Sequence, residues 1–116
     1  MPRAARLMCQ IAATDRTFER EGDRWYGKCL ICNGRLSFDA RTGFGANIEH
    51  IWPRNLGGGN ALLNLGLTHP GCNAEKGRNW DPRRKRRADP DRYRQLVENL
   101  LRKRRERWRE PAQECG

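Results

Sequence analysis

The sequence has no run of about 18 consecutive apolar residues, which is the length that a membrane-spanning helix requires. It also has no apolar segment typical of a secretory leader, because Gln10 and Asp15 interrupt the stretch after the basic Arg3 and Arg6. We therefore expect a cytoplasmic protein that neither spans a membrane nor is secreted.

Acidic residues are few relative to basic ones: 14 Asp and Glu stand against 24 Lys and Arg, a formal net charge of +10. Residues 81–116 hold 13 basic and 7 acidic residues, whereas residues 1–80 hold 11 and 7. An excess of this size on so short a chain favours a polyanionic partner, with nucleic acid first and an anionic membrane surface second. Charge alone indicates the class of partner and not a reaction.

The chain also has no internal repeat and no sign of a second domain, and its 116 residues suit one small domain. Residues 81–110 are interpreted as a basic linker followed by an amphipathic helix. Asp89 is a suitable N-cap and Pro90 a suitable first helical residue. The apolar stripe of this helix is formed by Tyr93, Leu96, Val97, Leu100, Leu101, Arg104 and Trp108.

The remaining pattern predicts an α+β fold with a helix at each end. Apolar residues at helical spacing predict a helix over residues 3–13. Residues 27–45 are typical of loops and short strands, and apolar runs at 46–52 and 62–68 predict a strand pair around a glycine loop at 57–59. Residues 73–77 predict a short helix.

The sequence has five cysteines, and an odd number disfavours a framework of disulfide bonds. Two short pairs hold metal-ligand residue types: Cys29 with Cys32 and, 40 residues after Cys29, His69 with Cys72. A thioredoxin-like redox pair would need a βαβ context, which the sequence around Cys29 does not have. The two pairs together predict a tetrahedral structural zinc site.

A recognisable order of residue types lies between the two ligand pairs. Glu49 precedes His50, Pro53 follows three residues later, and a glycine loop and an Asn64-Leu65 pair come next. Together with the ligand pairs, residues 29–77 closely resemble the HNH endonuclease family, and within it the small zinc-containing subgroup. The resemblance implies a ββα-metal core, in which two strands and a helix hold the catalytic residues.

The resemblance also implies a role for each residue. His50 would be the general base that activates water, and Asn64 would orient and polarise it from the facing strand. Glu49 and Asn73 would hold one catalytic divalent cation, Mg²⁺ or Mn²⁺, because carboxylate and amide oxygens suit a hard cation. The implied reaction is hydrolysis of DNA phosphodiesters to 3′-hydroxyl and 5′-phosphate ends, by nicking or double-strand cutting.

The sequence departs from the family pattern at two positions. Asn73 stands where many relatives carry histidine, and His69 stands where the subgroup usually has cysteine. Imidazole is an acceptable zinc ligand, so we expect function to be retained. A rival assignment makes His69 a ligand of the catalytic cation and leaves a three-cysteine zinc site.

Basic residues around the motif could bind phosphates on either side of the cut. Arg54 and Lys76 recur as residue types in the family pattern, whereas Arg78 is assigned from charge alone. A non-specific grip on the duplex is assigned to the C-terminal charge, and above all to Arg83, Arg84, Lys85, Arg86 and Arg87.

The main alternative is a zinc-dependent nucleic-acid-binding module without catalysis, which would share the charge and the zinc site. The family resemblance implies a bacterial or phage-encoded protein. A homodimer, or assembly with a larger phage or defence protein, stays open because one sequence does not reveal oligomeric state.

Overall fold

The computed structural model describes residues 3–80 and 90–111, in which three α-helices and two small antiparallel sheets form a mixed α+β fold. In chain order the elements are α1 (Arg3–Ala13), β1 (Glu19–Glu21), β2 (Arg24–Lys28), β3 (Arg35–Asp39), β4 (Asn47–His50), β5 (Leu65–Thr68), α2 (Pro70–Trp80) and α3 (Pro90–Glu106). The predicted terminal helices and the predicted strand pair are confirmed. Helix α2 begins three residues before the predicted helix at 73–77.

The first sheet contains β1, β2 and β3 in that order, and the second pairs β4 with β5. Because side chains alternate between the faces of a strand, Trp25 and its partner Phe38 both turn towards the core. The ring of Phe38 meets that of Phe18 edge to face, with centroids 6.1 Å apart. Helix α1 covers this apolar layer with buried residues such as Ile11.

Strand β5 carries a glycine where another part of the chain comes close. A Cβ atom added at Gly66 would lie 2.5 Å from Leu30 Cδ2, so only glycine leaves room for that side chain. The Leu30 N–H donates to the carbonyl oxygen of Leu67 at 3.0 Å. The turn after β2 is therefore fixed against β5.

The predicted apolar stripe on α3 is confirmed. Tyr93, Val97 and Leu100 are buried in a second cluster with Leu30 and Ile51. Helix α3 thus packs against both the turn after β2 and the residue that follows β4.

Part of the C-terminal positive charge lies inside the protein. Arg104 is completely buried and donates from Nη1 to the carbonyl oxygen of Thr14 at 2.9 Å and from Nε to that of Leu65 at 2.7 Å. Arg109 donates to the carbonyl oxygen of Ala13 at 2.9 Å. Both arginines satisfy carbonyl oxygens at the end of α1 and just beyond it, which have no partner within the helix. Arg104, which the sequence placed on the packed stripe of α3, is thus an internal hydrogen-bond donor rather than a surface charge.

Several predictions fall outside the described residues. They concern the N-cap Asp89, the basic run 83–87 and the side chain of Arg78. Within residues 3–80 and 90–111, none of the helices has the length and apolar character needed to cross a membrane.

Candidate metal centre and adjoining polar site

Cys29 and Cys32 lie in a tight turn between β2 and β3. The Cys29 N–H donates to the carbonyl oxygen of Gly34 at 2.9 Å, and the Asn33 N–H donates to that of Cys29 at 3.0 Å. Asn33 has φ of 64°, a left-handed conformation that asparagine adopts more readily than most residues. The sequence can make this turn because asparagine and glycine follow the second cysteine.

His69 and Cys72 lie at the junction of β5 and α2. His69 directly follows β5, and Cys72 is in the first turn of α2. The Asn73 N–H donates to the carbonyl oxygen of His69 at 3.1 Å, so the histidine is part of the start of the helix. Residues three apart share one side of a helical turn, which brings the two ligands together.

The four predicted ligands converge. Their ligand atoms all lie within 4.8 Å of one another, in the set Cys29, Cys32, His69 and Cys72. His69 Nδ1 lies 3.4 Å from Cys32 Sγ and 3.7 Å from Cys72 Sγ. A tetrahedral zinc ion with Zn–S bonds of about 2.3 Å separates its ligands by roughly 3.8 Å. The cluster could therefore hold a structural metal ion such as zinc.

The histidine of this cluster is oriented by a backbone carbonyl. His69 Nε2 donates to the carbonyl oxygen of Arg35 at 2.7 Å, so Nδ1 is left with a lone pair facing the sulfurs. A ligating histidine is commonly held in this way through its other ring nitrogen. The geometry thus favours His69 as a member of the cysteine cluster over the rival assignment to a catalytic cation.

The position of Cys72 among the sulfurs disfavours ionisation of its thiol. Burial, together with the neighbouring sulfurs of Cys32 and Cys29, raises the pKa of the Cys72 thiol to about 12. The Gly34 N–H acts in the opposite direction and lowers the pKa of Cys32. A divalent cation would supply the positive charge that three adjacent thiolates need.

The last turn of α3 and the residue after it contact the turn that carries Cys29 and Cys32. Lys103 Nζ donates to the carbonyl oxygen of Leu30 at 2.6 Å and to Asn33 Oδ1 at 3.0 Å. Arg107 Nη2 donates to the same Asn33 Oδ1 at 2.6 Å. Burial and the charge of Arg107 lower the pKa of Lys103. These two basic side chains therefore fix the turn rather than face solvent.

Glu49 lies on β4 and is turned towards α2. Its Oε2 lies 2.7 Å from Lys76 Nζ, and the two side chains are only 7% and 6% exposed. Burial raises the pKa of Glu49, while the ammonium of Lys76 and the charge of His50 act against that rise. Lys76 was predicted to contact DNA phosphate; in this structure it is buried and paired with Glu49, because α2 packs directly against β4.

Asn73 lies one turn before Lys76 on α2. Residues three apart lie on the same helical face, so Asn73 adjoins the position where Lys76 reaches Glu49. The Asn73 side chain is half-buried. The predicted cation ligands therefore come from two elements that pack together.

His50 ends β4 and turns to the loop that follows. Its Nε2 lies 3.0 Å from Asn60 Oδ1, and an amide oxygen can only accept, so the ring donates from Nε2. Nδ1 is then the nitrogen with the free lone pair. Neighbouring strand residues project to opposite sides, which explains why His50 reaches the loop while Glu49 faces the helix.

The predicted contact between Asn64 and His50 is wrong. Asn64 Oδ1 accepts from the Trp52 N–H at 2.9 Å, and Nδ2 donates to the carbonyl oxygens of Trp52 at 3.1 Å and Gly59 at 2.9 Å. Asn64 lies at the end of a 3-10 turn rather than on the facing strand, so its side chain points across the loop. Asn64 closes the loop that carries Asn60. The side chain that contacts His50 is that of Asn60.

Among the predicted phosphate contacts, Arg54 is exposed in a 3-10 turn over Arg54–Leu56. This position is available to a charged ligand, since the turn projects from the loop between β4 and β5. Arg54 is therefore exposed at the surface, whereas Lys76 is buried.

Sequence reasoning missed three residues of this site: Asn60, Lys103 and Arg107. Asn60 follows three glycines and is typical of a turn, so nothing local marks it as a partner of histidine. The signal for Lys103 and Arg107 was their spacing of four, which places Arg107, the residue after α3, on the same side as Lys103.

Comparisons with protein family models, with curated proteins and with solved structures found no match.

Proposed function

We propose that this protein is a small metal-dependent endonuclease of the HNH type that hydrolyses DNA phosphodiester bonds. The observation that carries the proposal is the succession β4, β5 and α2, with Glu49 and His50 on the first strand and α2 packed against it. The same helix supplies Cys72 of the metal cluster. We propose in addition that β4, β5 and α2 form the ββα-metal core that the family resemblance implies.

His50 is the proposed general base. Donation from Nε2 to Asn60 fixes the tautomer and leaves Nδ1 to take a proton from water. Asn60 is the polarising partner in place of Asn64. Asn64 has a positioning role, because its three backbone hydrogen bonds hold the loop that presents Asn60.

Glu49 and Asn73 are the proposed ligands of a Mg²⁺ or Mn²⁺ ion. Their oxygens suit a hard cation, and the ammonium of Lys76 against Glu49 indicates that the position accommodates positive charge. When bound, such an ion would stabilise negative charge on the phosphate and the leaving oxygen. The chain's own residues supply the carboxylate, the amide and the base.

The proposed zinc ion at Cys29, Cys32, His69 and Cys72 is structural. It would tie the turn after β2 to the start of α2 and thereby set the direction in which α2 crosses β4. A metal cross-link of this kind offsets the small core of a domain this size.

DNA is the proposed partner. Arg54 would contact phosphate close to His50, and the run 83–87 would add a non-specific grip. A bacterial or phage-encoded protein acting in the cytoplasm fits this proposal, as a monomer, a homodimer or a component of a larger phage or defence assembly.

One observation favours a second candidate, a zinc-dependent nucleic-acid-binding module without catalysis. Lys76 already neutralises Glu49, so the carboxylate has a partner without a divalent cation. Both candidates use the cysteine cluster and the basic surface. They differ in whether His50 activates water and in whether Glu49 and Asn73 hold a catalytic cation.

Relaxation of supercoiled plasmid by the zinc-loaded protein tests the proposal. We expect nicking that requires Mg²⁺ or Mn²⁺ and is lost in His50→Ala, since the base is removed. Asn47→Ala is the matched control, because Asn47 is an exposed residue of the same strand. Equal activity of wild type and His50→Ala, or no activity of the wild type with either metal, would contradict the proposal.

A further inference from the structure

Glu49 and Lys76 form a buried ion pair within the proposed site. Its atoms lie 2.7 Å apart, and neither side chain is more than 7% exposed. Lysine and glutamate are almost never buried at this level without a partner, because the ions lose their hydration. Each member of the pair therefore depends on the other for its place in the fold.

The same carboxylate is the proposed anionic ligand of the catalytic cation. A Glu49 oxygen that contacts an ammonium at 2.7 Å has no room for a divalent ion on that side until the ammonium moves. Lys76 also adjoins Asn73 on one face of α2. The ammonium therefore occupies the Glu49 oxygen that the proposed cation would need.

We propose that Lys76 is a resident cation that a divalent metal must displace from Glu49. It neutralises the carboxylate in the metal-free protein and thereby sets the affinity of the site for Mg²⁺ or Mn²⁺. This inference rests on the proposed function, because it takes Glu49 as the metal ligand. It adds a specific role for Lys76, which the sequence assigned to DNA.

The surroundings of Lys76 give the displaced ammonium another favourable position. Lys76 Nζ lies 5.5 Å from the centroid of the Tyr93 ring, within the range of a cation–π contact. Lysine carries a point charge on a flexible four-carbon stem, so its ammonium can move without a change in the backbone. A shift along the ring face would free Glu49 and keep the charge beside the bound metal.

A metal ion can bind only those molecules in which the ammonium has moved away from Glu49. The apparent affinity for the metal is therefore the intrinsic affinity multiplied by the fraction of such molecules. If the open arrangement is populated at about 10% or less, removal of the ammonium tightens metal binding by about tenfold or more. The effect concerns binding and is independent of turnover.

The test is Mn²⁺ binding to the zinc-loaded full chain, measured by the EPR signal of free Mn²⁺ in the absence of DNA. Lys76→Met removes the charge and keeps the length of the side chain, and Lys76→Gln does so with a polar end. Lys28→Met is the matched control, because Lys28 is exposed. We expect tighter binding of about tenfold in both Lys76 variants, no change in Lys28→Met, and loss of binding in Glu49→Gln.

Thermal unfolding gives a second measurement if loss of Lys76 weakens the fold. A buried carboxylate without its partner should lower the melting temperature of Lys76→Met, and Mn²⁺ should restore it more than it stabilises the wild type. Unchanged or weaker Mn²⁺ binding in both Lys76 variants, with Glu49-dependent binding in the wild type, would overturn the role of Lys76 alone. Mn²⁺ binding that Glu49→Gln leaves intact, or no binding in any variant, would overturn the cation site and with it this inference.

Discussion

Arg104 of α3 and Thr14, the residue after α1, lie 90 residues apart in the sequence and are joined by two hydrogen bonds. Arg104 Nη1 donates to the Thr14 carbonyl oxygen at 2.9 Å and Nη2 to its hydroxyl oxygen at 2.7 Å. The guanidinium is completely buried, and this burial lowers the pKa of Arg104, whereas the nearby charge of Asp15 acts against that change. A basic residue of α3 thus connects the C-terminal helix to the segment that follows α1.

Replacement of Arg104 should therefore destabilise the fold. In Arg104→Leu the carbonyl oxygens of Thr14 and Leu65 lose a buried donor, and we expect the free energy of unfolding to fall by roughly 2 to 4 kcal/mol. Urea unfolding measures the change. Arg105→Leu is the control, because Arg105 is exposed on the same helix and should change stability by less than about 0.5 kcal/mol. Equal effects of the two substitutions would show that the internal hydrogen bonds of Arg104 contribute nothing.

Zinc content tests the four-residue cluster. We expect the wild type to bind about one zinc ion per chain and Cys72→Ser to lose most of it, because one thiolate ligand is replaced by a poor one. Cys9→Ala serves as the comparison, since Cys9 is a buried free cysteine outside the cluster. Metal analysis of the purified proteins gives the ratio. Retention of zinc in Cys72→Ser at the level of Cys9→Ala would exclude this ligand set.

Removal of the metal should also lower thermal stability. The cluster joins the turn after β2 to the start of α2, so a chelator should reduce the melting temperature of the wild type and leave Cys72→Ser nearly unchanged. Scanning calorimetry with and without EDTA measures both. Identical melting of the wild type in the two conditions would mean that no structural metal is held.

Asn60 should control the tautomer of His50. The contact from Nε2 to Asn60 Oδ1 predicts an Nε2-protonated ring in the wild type. Asn60→Ala should give a mixture of tautomers and lower the rate of cleavage by about tenfold, because proton transfer needs the correct ring nitrogen. Nitrogen NMR of the histidine ring distinguishes the tautomers, and a loss of stability alone would not alter them.

Asn64→Ala separates the loop from the base. Its three hydrogen bonds join Trp52 and Gly59, so we expect lower stability together with reduced activity. Asn47→Ala should change neither property. Wild-type stability of Asn64→Ala together with an altered His50 tautomer would contradict this account and support the direct contact between Asn64 and His50 that the sequence predicted.

Salt dependence distinguishes external from internal positive charge. Neutralising Arg83, Arg84, Lys85, Arg86 and Arg87 should flatten the slope of log binding constant against log salt, by about 0.9 for each phosphate that the protein no longer neutralises. Lys103→Met should leave that slope unchanged and lower stability, because its ammonium donates to the cysteine turn. DNA binding measured over a range of salt concentrations compares the two. A slope that is the same with and without the basic run would remove this segment from the DNA interface.

The sequence predicted most of the elements that hold the site, because their signals are local. The spacing of Cys29 from Cys32 and of His69 from Cys72 places each pair on one turn, and the structure brings the pairs together. The end of the first helix at Ala13 and the start of the last at Pro90 likewise agree with the periodicity.

The wrong predictions concern contacts between elements that are distant in the chain. Whether Lys76 faces phosphate or Glu49 depends on how α2 crosses β4, which no spacing in the sequence encodes. The exchange of roles between Asn60 and Asn64 depends on a 3-10 turn that redirects the second side chain. A run of basic residues is usually a solvated surface, and the burial of Arg104 depends on the packing of α3 against distant parts of the chain.

In the proposed function, His50 activates the water that cuts the DNA, and loss of His50 should abolish cutting without weakening binding. The most direct measurement compares wild type and His50→Ala on the same supercoiled DNA with Mn²⁺, recording binding, nicking and whether DNA ligase reseals the nick. We predict equal binding, nicking by the wild type alone, and resealing, because the ends are 3′-hydroxyl and 5′-phosphate. Equal binding with no nicking by either protein would contradict the claim and leave a zinc-dependent binding module.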